Sequence, residues 1–359
     1  MRILFHTHLA QEFPEMIEEL RQRHPDHAFV VARSEEEFER HLETADGIVT
    51  APIPAETLER AAALRIQFIP FAGVNRAPLD YFRERGLVLC NSHGNAPLVA
   101  ERAVALAMAA AGRVVEFDQD LRRGLWHRRD DPDRPFDSWL SLQGKRVTVL
   151  GVGAIGSGIA GLIRPFGGRI TGFRRRRRSE VGRTGAGSAP DRTTAPSRRA
   201  PDAAHAGDAA PTERVFDEIT TELEEALRSA ELLFVALPLT PESTGLIGER
   251  ELELLRGGIM VNVSRAQIVE EEPLYRALRD GTLFAAGLDV WYSNPPRFTE
   301  TTLPSSLPFH ELSNVVMSPH AGSHATEGKR LQLEGTIANI SAYVSTGTPV
   351  KQVDLDAGY

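Results

Sequence analysis

The stretch VTVLGVGAIGSG, residues 147–158, decides the fold of this chain. VTVL is apolar and β-branched, which predicts a buried strand. The turn after it has the spacing G-x-G-x-x-G, with Gly151, Gly153 and Gly156. A helix-like segment, SGIAGLIRPF, and a second strand, RITGF, follow. A glycine-rich turn between a strand and a helix is typical of a dinucleotide-binding βαβ unit.

The three glycines have separate expected roles. Gly151 permits the tight turn, Gly153 lets the backbone approach a pyrophosphate, and Gly156 lets the helix pack closely on the strand. The first helical N–H groups, around Ala154 and Ile155, would then face the phosphates. A glycine-rich turn without a ligand is the alternative, and the strand and helix on either side of it disfavour that alternative.

The rest of the chain repeats this alternation of strand and helix. Residues 1–101 contain strand-like segments such as RILFHT, HAFVVA and LVLCNS, separated by amphipathic segments such as PEMIEELRQRHP. A second set follows the glycine-rich turn, with the apolar strands ELLFVALPL, GGIMVNVS and FAAGLDVW. The pattern predicts an α/β chain with two Rossmann-like, doubly wound parallel-sheet domains and an active-site cleft between them.

Two segments stand apart from this alternation. Residues 100–126 form a continuous helical pattern whose length suits a connection between two domains. Residues 175–213 are rich in Ala, Gly, Pro, Ser, Arg and Asp, with almost no large apolar residue. Such a composition cannot bury enough surface to offset the entropy of ordering, so we expect a mobile surface insert there.

Composition limits the class of protein. The 359 residues carry 49 acidic and 41 basic side chains, a net charge of −8, which argues against general nucleic-acid binding. No apolar run is long enough to span a membrane, and the N-terminal MRILFHTHLA is too short and polar for a signal peptide. The single cysteine, Cys90, suggests a reducing, cytoplasmic location and lies in an apolar stretch that predicts a core position. No metal site is expected.

Arginine at the end of the second strand bears on cofactor choice. An acidic residue about 20 residues after the glycine-rich turn would bind the ribose 2′-hydroxyl of NAD. Arg174 stands there instead, followed by Arg175 and Arg176. Arginine suits a 2′-phosphate, so we predict that NADP(H) is preferred, with NAD(H) as the alternative. Arg174 could instead simply begin the solvated insert.

Five motifs in order give the chain a family resemblance. GVGAIG, ALPLTPES, VNVSRAQIV, AAGLDVW and SPHAGS follow one another at sensible spacing. Together they resemble the D-isomer-specific 2-hydroxyacid dehydrogenases, which include glyoxylate/hydroxypyruvate reductases and phosphoglycerate dehydrogenase. The resemblance covers nearly the whole chain outside the 175–213 insert. It implies a substrate domain, residues 1–101 with 322–359, and a dinucleotide domain, residues 102–321.

The resemblance also implies a catalytic site in the cleft. Arg265 would hold the carboxylate and carbonyl oxygens of a 2-oxo acid, because its guanidinium can form two parallel hydrogen bonds. His320 would give the proton during reduction and take it during oxidation. Backbone N–H groups of Gly73, Val74 and Asn75 would bind the substrate carboxylate. The nicotinamide carries the hydride.

Further positions match cofactor contacts of the family. Asp289 would lie at the carboxamide, although it could be only a strand-end cap. His6, His8, His93 and Asn95 are weaker candidates for the edge of the cleft. The other implied cofactor contacts are Leu237 and Pro238 on the adenine side, Val263 and Ser264 near the nicotinamide ribose, and Gly322.

Asn294 departs from the family pattern. Most members carry a glutamate before the proline that ends this motif, and that glutamate hydrogen-bonds the catalytic histidine; the formate-oxidising branch carries a glutamine. We hypothesise that Asn294 orients His320 but cannot raise its pKa as a carboxylate would. Glu300 or Glu311 could supply the missing charge instead.

The leading interpretation is an oxidoreductase that interconverts a small 2-oxo acid and its D-2-hydroxy acid. Dehydrogenation of another small anion such as formate is one alternative, suggested by the amide at position 294. A non-catalytic dinucleotide sensor on the same fold is a second. The resemblance implies a homodimer formed through the dinucleotide domains.

Overall fold

The structure is a computed structural model and describes residues 1–126, 138–175, 215–295 and 300–359. The insert expected at 175–213 lies outside these ranges except for Arg175. Arg176 lies outside them as well. Among the described helices, none combines the length and the apolar character that crossing a membrane requires.

All strand pairs in the two sheets are parallel. The strands are β1 (Arg2–Phe5), β2 (Ala28–Val31), β3 (Gly47–Val49), β4 (Ile66–Ile69), β5 (Val88–Asn91), β6 (Val147–Leu150), β7 (Ile170–Phe173), β8 (Glu218–Thr220), β9 (Leu232–Val235), β10 (Ile259–Asn262), β11 (Ala285–Leu288) and β12 (Val315–Met317). The first sheet has the order β2-β1-β3-β4-β5 and the second β12-β11-β10-β9-β6-β7-β8. Both orders reverse next to the first strand, as in doubly wound folds that bind ligands at that point.

Helices connect the strands. They are α1 (His8–Glu12), α2 (Pro14–Arg23), α3 (Glu35–Leu42), α4 (Ala55–Leu58), α5 (Leu79–Arg85), α6 (Ala96–Ala111), α7 (Val114–Arg122), α8 (Ala154–Ile163), α9 (Leu223–Arg228), α10 (Glu249–Leu254), α11 (Glu271–Arg279) and α12 (Gly328–Thr346). The predicted fold class, two parallel α/β units, is confirmed.

The prediction of a single long helix over residues 100–126 is wrong. α6 begins earlier, at Ala96, and ends before Gly112, and α7 starts after a break at Arg113. Arg113 has a φ of 50°, in the left-handed region that a continuing helix cannot contain. Its guanidinium holds the Glu116 carboxylate through two hydrogen bonds of 2.7 Å, which fixes the turn.

Residues from both ends of the chain build the first unit. Leu333, Ile337 and Ile340 of α12 pack with β1, β4 and β5, and Cys90 is fully buried in the same cluster, as predicted. The segment that follows α12 returns to β5, where Gln352 forms an antiparallel bridge with Cys90. Hydrogen bonds from Asn91 N–H to the Lys351 carbonyl and from Val353 N–H to the Leu89 carbonyl also join this segment to β5.

Candidate functional site

A cleft of about 520 Å³ opens where both sheets present the carboxyl ends of their strands. Most of the residues proposed from sequence line it: Gly73, Val74, Asn75, Gly151, Gly153, Ala154, Ile155, Arg174, Arg175, Leu237, Pro238, Val263, Ser264 and Arg265. Gly156, Asp289, Asn294, His320 and Gly322 are not part of this lining. The cleft draws its walls from both units, as a two-domain dehydrogenase site requires.

The glycine-rich turn has the geometry expected of a phosphate loop. Gly151 has a φ of 107°, and a Cβ there would lie 2.6 Å from the Ala236 carbonyl oxygen. A Cβ at Gly156 would overlap the Gly151 carbonyl oxygen, so only glycine lets α8 sit this close to β6. Gly153, by contrast, has open space where its Cβ would be. Backbone at Gly153 is therefore accessible to a pyrophosphate at the start of α8.

Arg174 and Arg175 lie beside the end of β7, at one end of the cleft. The Arg175 Nη1 donates to the Glu242 carboxylate at 2.7 Å and to the Thr240 hydroxyl at 2.8 Å. Its guanidinium carbon also lies 5.9 Å from the centre of the Tyr359 ring. Arg175 is therefore held in place by residues of both units.

Arg265 follows β10 on a loop that a buried amide fixes. Asn262 is 2% exposed; its Oδ1 accepts from the Ser264 N–H at 3.0 Å, and its Nδ2 donates to the Arg265 carbonyl at 3.1 Å. The Ser264 hydroxyl donates to the Leu237 carbonyl, which ties this loop to the neighbouring one. Sequence reasoning missed Asn262, although a polar residue inside the apolar run IMVNV was a usable signal.

The Arg265 guanidinium reaches across the cleft to the loop after β4. Its Nη1 donates to the Ser264 carbonyl at 2.8 Å, and a Cβ added to Gly73 would overlap its Nη2. Burial lowers the pKa of Arg265, and the nearby Arg76 charge lowers it further, although the group stays cationic. The structure thus brings together the predicted cation and the predicted backbone donors.

A buried carboxylate holds the loop that carries His320. Asp289 is 1% exposed and accepts hydrogen bonds from the N–H of Ala321 at 2.9 Å, from that of Gly322 at 2.8 Å, and from the Ser318 hydroxyl. His320 itself has a φ of 55°, which an L-residue adopts only when its surroundings enforce it. In this structure Asp289 thus caps the SPHAG loop.

The pKa of His320 lies below the ordinary value for histidine. Desolvation by the surrounding protein lowers it most, and the positive charge of Arg265 lowers it further. The negative charge of Asp289 acts in the opposite direction. The charge of Arg265 therefore acts on His320 across the space between them.

The pairing expected between Asn294 and His320 is not present in this structure. Asn294 is exposed, and no hydrogen bond joins it to His320 within the described part of the chain. The carboxylate whose charge acts on His320 is Asp289, rather than Glu300 or Glu311. The position of the His320 backbone therefore depends on Asp289.

Three further residues line the cleft, and the sequence predicts them only weakly or not at all. His93, Lys351 and Tyr359 line it; of these only His93 was considered, and as a weak candidate. Lys351 and Tyr359 belong to the segment after α12 that bridges to β5 at Gln352, a placement that no local motif indicates. His6 instead stacks on Phe38, 4.4 Å between ring centres, while Asn95 is buried before α6; neither they nor His8 line the cleft.

Comparison with known proteins shows which protein family the chain resembles. A sequence model described as D-isomer specific 2-hydroxyacid dehydrogenase, NAD binding domain, matches residues 104–195 and 203–322. A glyoxylate reductase of Aeropyrum pernix is 32% identical over 311 residues, which cover 86% of this chain and 81% of the relative. A D-3-phosphoglycerate dehydrogenase of Methanocaldococcus jannaschii is 25% identical over 83% of this chain and 49% of the relative.

Solved structures agree with the sequence comparisons. The PH0520 protein from Pyrococcus horikoshii OT3 superposes with a TM-score of 0.74 at 25% identity, over 98% of this chain and 95% of that one. The family model covers more than half of the chain, and the similarity to the Aeropyrum protein extends over both units. The chain therefore belongs to the D-isomer specific 2-hydroxyacid dehydrogenase family.

Proposed function

We propose that this protein reduces a small 2-oxo acid to its D-2-hydroxy acid, in a reversible reaction, and prefers NADPH to NADH. The observation that carries the proposal is the contact between Arg265 and Gly73 at the mouth of a phosphate-binding cleft. A guanidinium beside the backbone N–H groups of this loop is suited to a carboxylate next to a carbonyl.

The roles of the residues follow from their chemistry. Arg265 would polarise the carbonyl, and Gly73, Val74 and Asn75 would hold the carboxylate. His320 would deliver the proton to the developing alkoxide. Gly151, Gly153 and the start of α8 would hold the dinucleotide pyrophosphate, with Leu237, Pro238, Val263 and Ser264 beside it. A bound nicotinamide supplies the hydride.

Preference for NADPH is supported by charge at one end of the cleft. Arg174 and Arg175 stand where a carboxylate would otherwise bind the ribose 2′-hydroxyl. Glu242 already accepts a hydrogen bond from Arg175, so part of that charge is compensated. Arg174 stands about 20 residues after the glycine-rich turn, at the position expected for the ribose contact, so its replacement tests the preference.

We expect NADPH oxidation with glyoxylate, hydroxypyruvate, pyruvate or a longer 2-oxo acid, and a lower kcat/KM with NADH. Arg174→Ala should lower kcat/KM for NADPH by about 10- to 100-fold, because a charge-assisted hydrogen bond contributes about 1.5–3 kcal/mol. The value for NADH should change little. Absorbance of the reduced cofactor, with each cofactor varied in turn, gives both numbers.

Arg169→Ala is the matched control for this variant. Arg169 precedes β7, at the opposite end of that strand, and pairs on the surface with Glu218 at 2.7 Å. Its loss should leave the ratio of the two cofactors unchanged. Tighter binding and faster turnover with NADH would refute the cofactor proposal, and dinucleotide binding without turnover of any acid would favour a sensor.

We also propose that the chain divides as the resemblance implies, into 1–101 with 322–359 and 102–321. Packing of α6 on the second sheet from Val99 onward supports a boundary within the first turns of that helix. A cytoplasmic location is proposed on the composition alone.

A homodimer through the dinucleotide units is the last part of the proposal. Exposed apolar side chains on α6, α7, α8 and the flanking segments support it: Met108, Val114, Val115, Leu121, Leu125, Trp126, Trp139 and Leu162. The Leu140 N–H donates to the Ala111 carbonyl at 2.9 Å, which places Trp139 beside the end of α6. A large exposed apolar patch is typical of an interface.

Val114→Glu is expected to convert the dimer to a monomer at micromolar concentration, because it buries a charge in that interface. Val114 is 57% exposed, so the folded protomer should tolerate glutamate. Light scattering coupled to size-exclusion chromatography gives the mass. Leu303→Glu, at an equally exposed apolar position outside this face, should remain a dimer; a monomeric wild-type protein would contradict the proposal.

A further inference from the structure

The cleft contains polar groups that a one-carboxylate substrate leaves unused. Arg265 and the loop at Gly73 account for one carboxylate and the reacting carbonyl. His93 and Lys351 line the same cleft from the first sheet. Neither has a role in holding the dinucleotide pyrophosphate, which belongs to the opposite wall.

Hydrogen bonds of Asn91 place the loop at Gly73, β5 and the segment at Lys351 in a row along the edge of the first sheet. The Asn91 side chain donates to the Ala72 carbonyl at 2.7 Å, and the Asn91 N–H donates to the Lys351 carbonyl at 3.4 Å. Asn91 thus links the segment that carries Lys351 to the loop that carries Gly73.

The two side chains lack partners of their own. The Nδ1 of His93 is buried and has no hydrogen-bond partner among the residues described. The structure shows no hydrogen bond or ion pair for the Lys351 ammonium within the same ranges, and the ammonium is close enough to His93 to lower its pKa, after the larger effect of burial. A buried polar atom without a partner costs free energy.

The charges of the residues around His93 and Lys351 indicate that this part of the cleft suits an anionic ligand group. Arg76 and Arg265 lie near the Gly73 end of this row, and Lys351 lies at the other end. Among the described lining residues, the acidic side chain is Glu242, and it is paired with Arg175 at the dinucleotide end. A second anionic group on the substrate would therefore meet the cationic groups of Lys351, Arg76 and Arg265.

We propose that His93 and Lys351 form a second anion subsite, and that the preferred substrate is a 2-oxo acid carrying a second anionic group. The carboxylate next to the carbonyl binds Arg265 and the Gly73 loop, and the distal carboxylate or phosphate binds Lys351 and His93. Hydride transfer occurs at the same carbonyl as in the proposed function, on which this inference rests.

Matched pairs of substrates test the subsite with the wild-type enzyme. Oxaloacetate is compared with 2-oxobutyrate, and 2-oxoglutarate with 2-oxopentanoate, so that each pair differs in its distal carboxylate. Phosphohydroxypyruvate against hydroxypyruvate distinguishes a distal phosphate. We expect at least one anionic member to exceed its partner in kcat/KM by about tenfold or more, as one charge-assisted contact supplies.

Lys351→Gln should lower, at least tenfold, the ratio of kcat/KM for the substrate with the distal anion to kcat/KM for its partner without it. His93→Gln should also lower this ratio. Lys329→Gln is the matched control, because Lys329 pairs with Glu12 on the surface at 2.8 Å and should leave the ratio unchanged. Equal kcat/KM within every pair, or a ratio that Lys351→Gln does not change, would overturn the subsite alone. Failure to reduce any 2-oxo acid would overturn the proposed function and the subsite together.

Discussion

Replacement of Arg265 by lysine is expected to lower kcat/KM for 2-oxo acid reduction by about 10²- to 10³-fold, while the Kd for NADPH stays within a few fold. Removal of one preorganised donor to a developing oxyanion has an effect of about this size. Lysine keeps the charge but cannot present two parallel donors to a carboxylate and a carbonyl. Steady-state kinetics together with fluorescence titration of NADPH separate the two quantities.

A variant at Gly73 tests the same contact from the other wall of the cleft. A Cβ at Gly73 would overlap Nη2 of Arg265, so Gly73→Ala should displace the guanidinium from the opposite wall. The two variants act on one contact, so their combined loss in kcat/KM should be smaller than the product of the separate losses. Arg228→Lys, at a surface pair with Glu224, is the control. Activity of Arg265→Lys within a few fold of wild type would contradict the role.

The phosphate loop and Arg265 could be predicted from sequence because each depends on local geometry. Gly151 and Gly156 are required by contacts within one strand–turn–helix unit, so their spacing carries the information. Arg265 directly follows β10, and the carboxyl ends of parallel strands meet at one edge of a sheet. The resemblance in five motifs then implies that the phosphate loop and Arg265 face the same cleft.

Long-range placements were not predictable in the same way. Lys351 and Tyr359 enter the cleft because the segment after α12 bridges to β5 at Gln352, and nothing in VKQVDLDAGY specifies that contact. The break between α6 and α7 depends on Arg113 adopting a left-handed conformation with Glu116 as partner, which an alanine-rich helical pattern conceals. The position of Asn294 in the motif predicts a contact with His320, but a motif position does not determine which way a loop directs a side chain, and Asn294 is exposed.

His320→Gln is expected to lower kcat for reduction by about 10²- to 10⁴-fold, because its imidazole is the proposed proton donor and glutamine cannot donate a proton in its place. The pH dependence gives a more specific test. Reduction needs the protonated imidazole, and its pKa lies below the usual value of about 6.5 because of desolvation and the Arg265 charge. At saturating NADPH, kcat/KM for reduction should therefore fall as pH rises through a value below 6.5.

Asn294→Glu tests whether position 294 can influence that pKa. A carboxylate near the imidazole favours its protonated form, so the fall in reduction should move to higher pH, and the rise in oxidation of the hydroxy acid should move with it. Ser313→Glu adds the same charge before β12, whereas His320 follows that strand, so its profile should match wild type. An Asn294→Glu profile that also matches wild type would mean that the glutamate does not reach His320. The charge of Asp289 would then remain the carboxylate charge that raises the pKa of His320, against the larger lowering by desolvation.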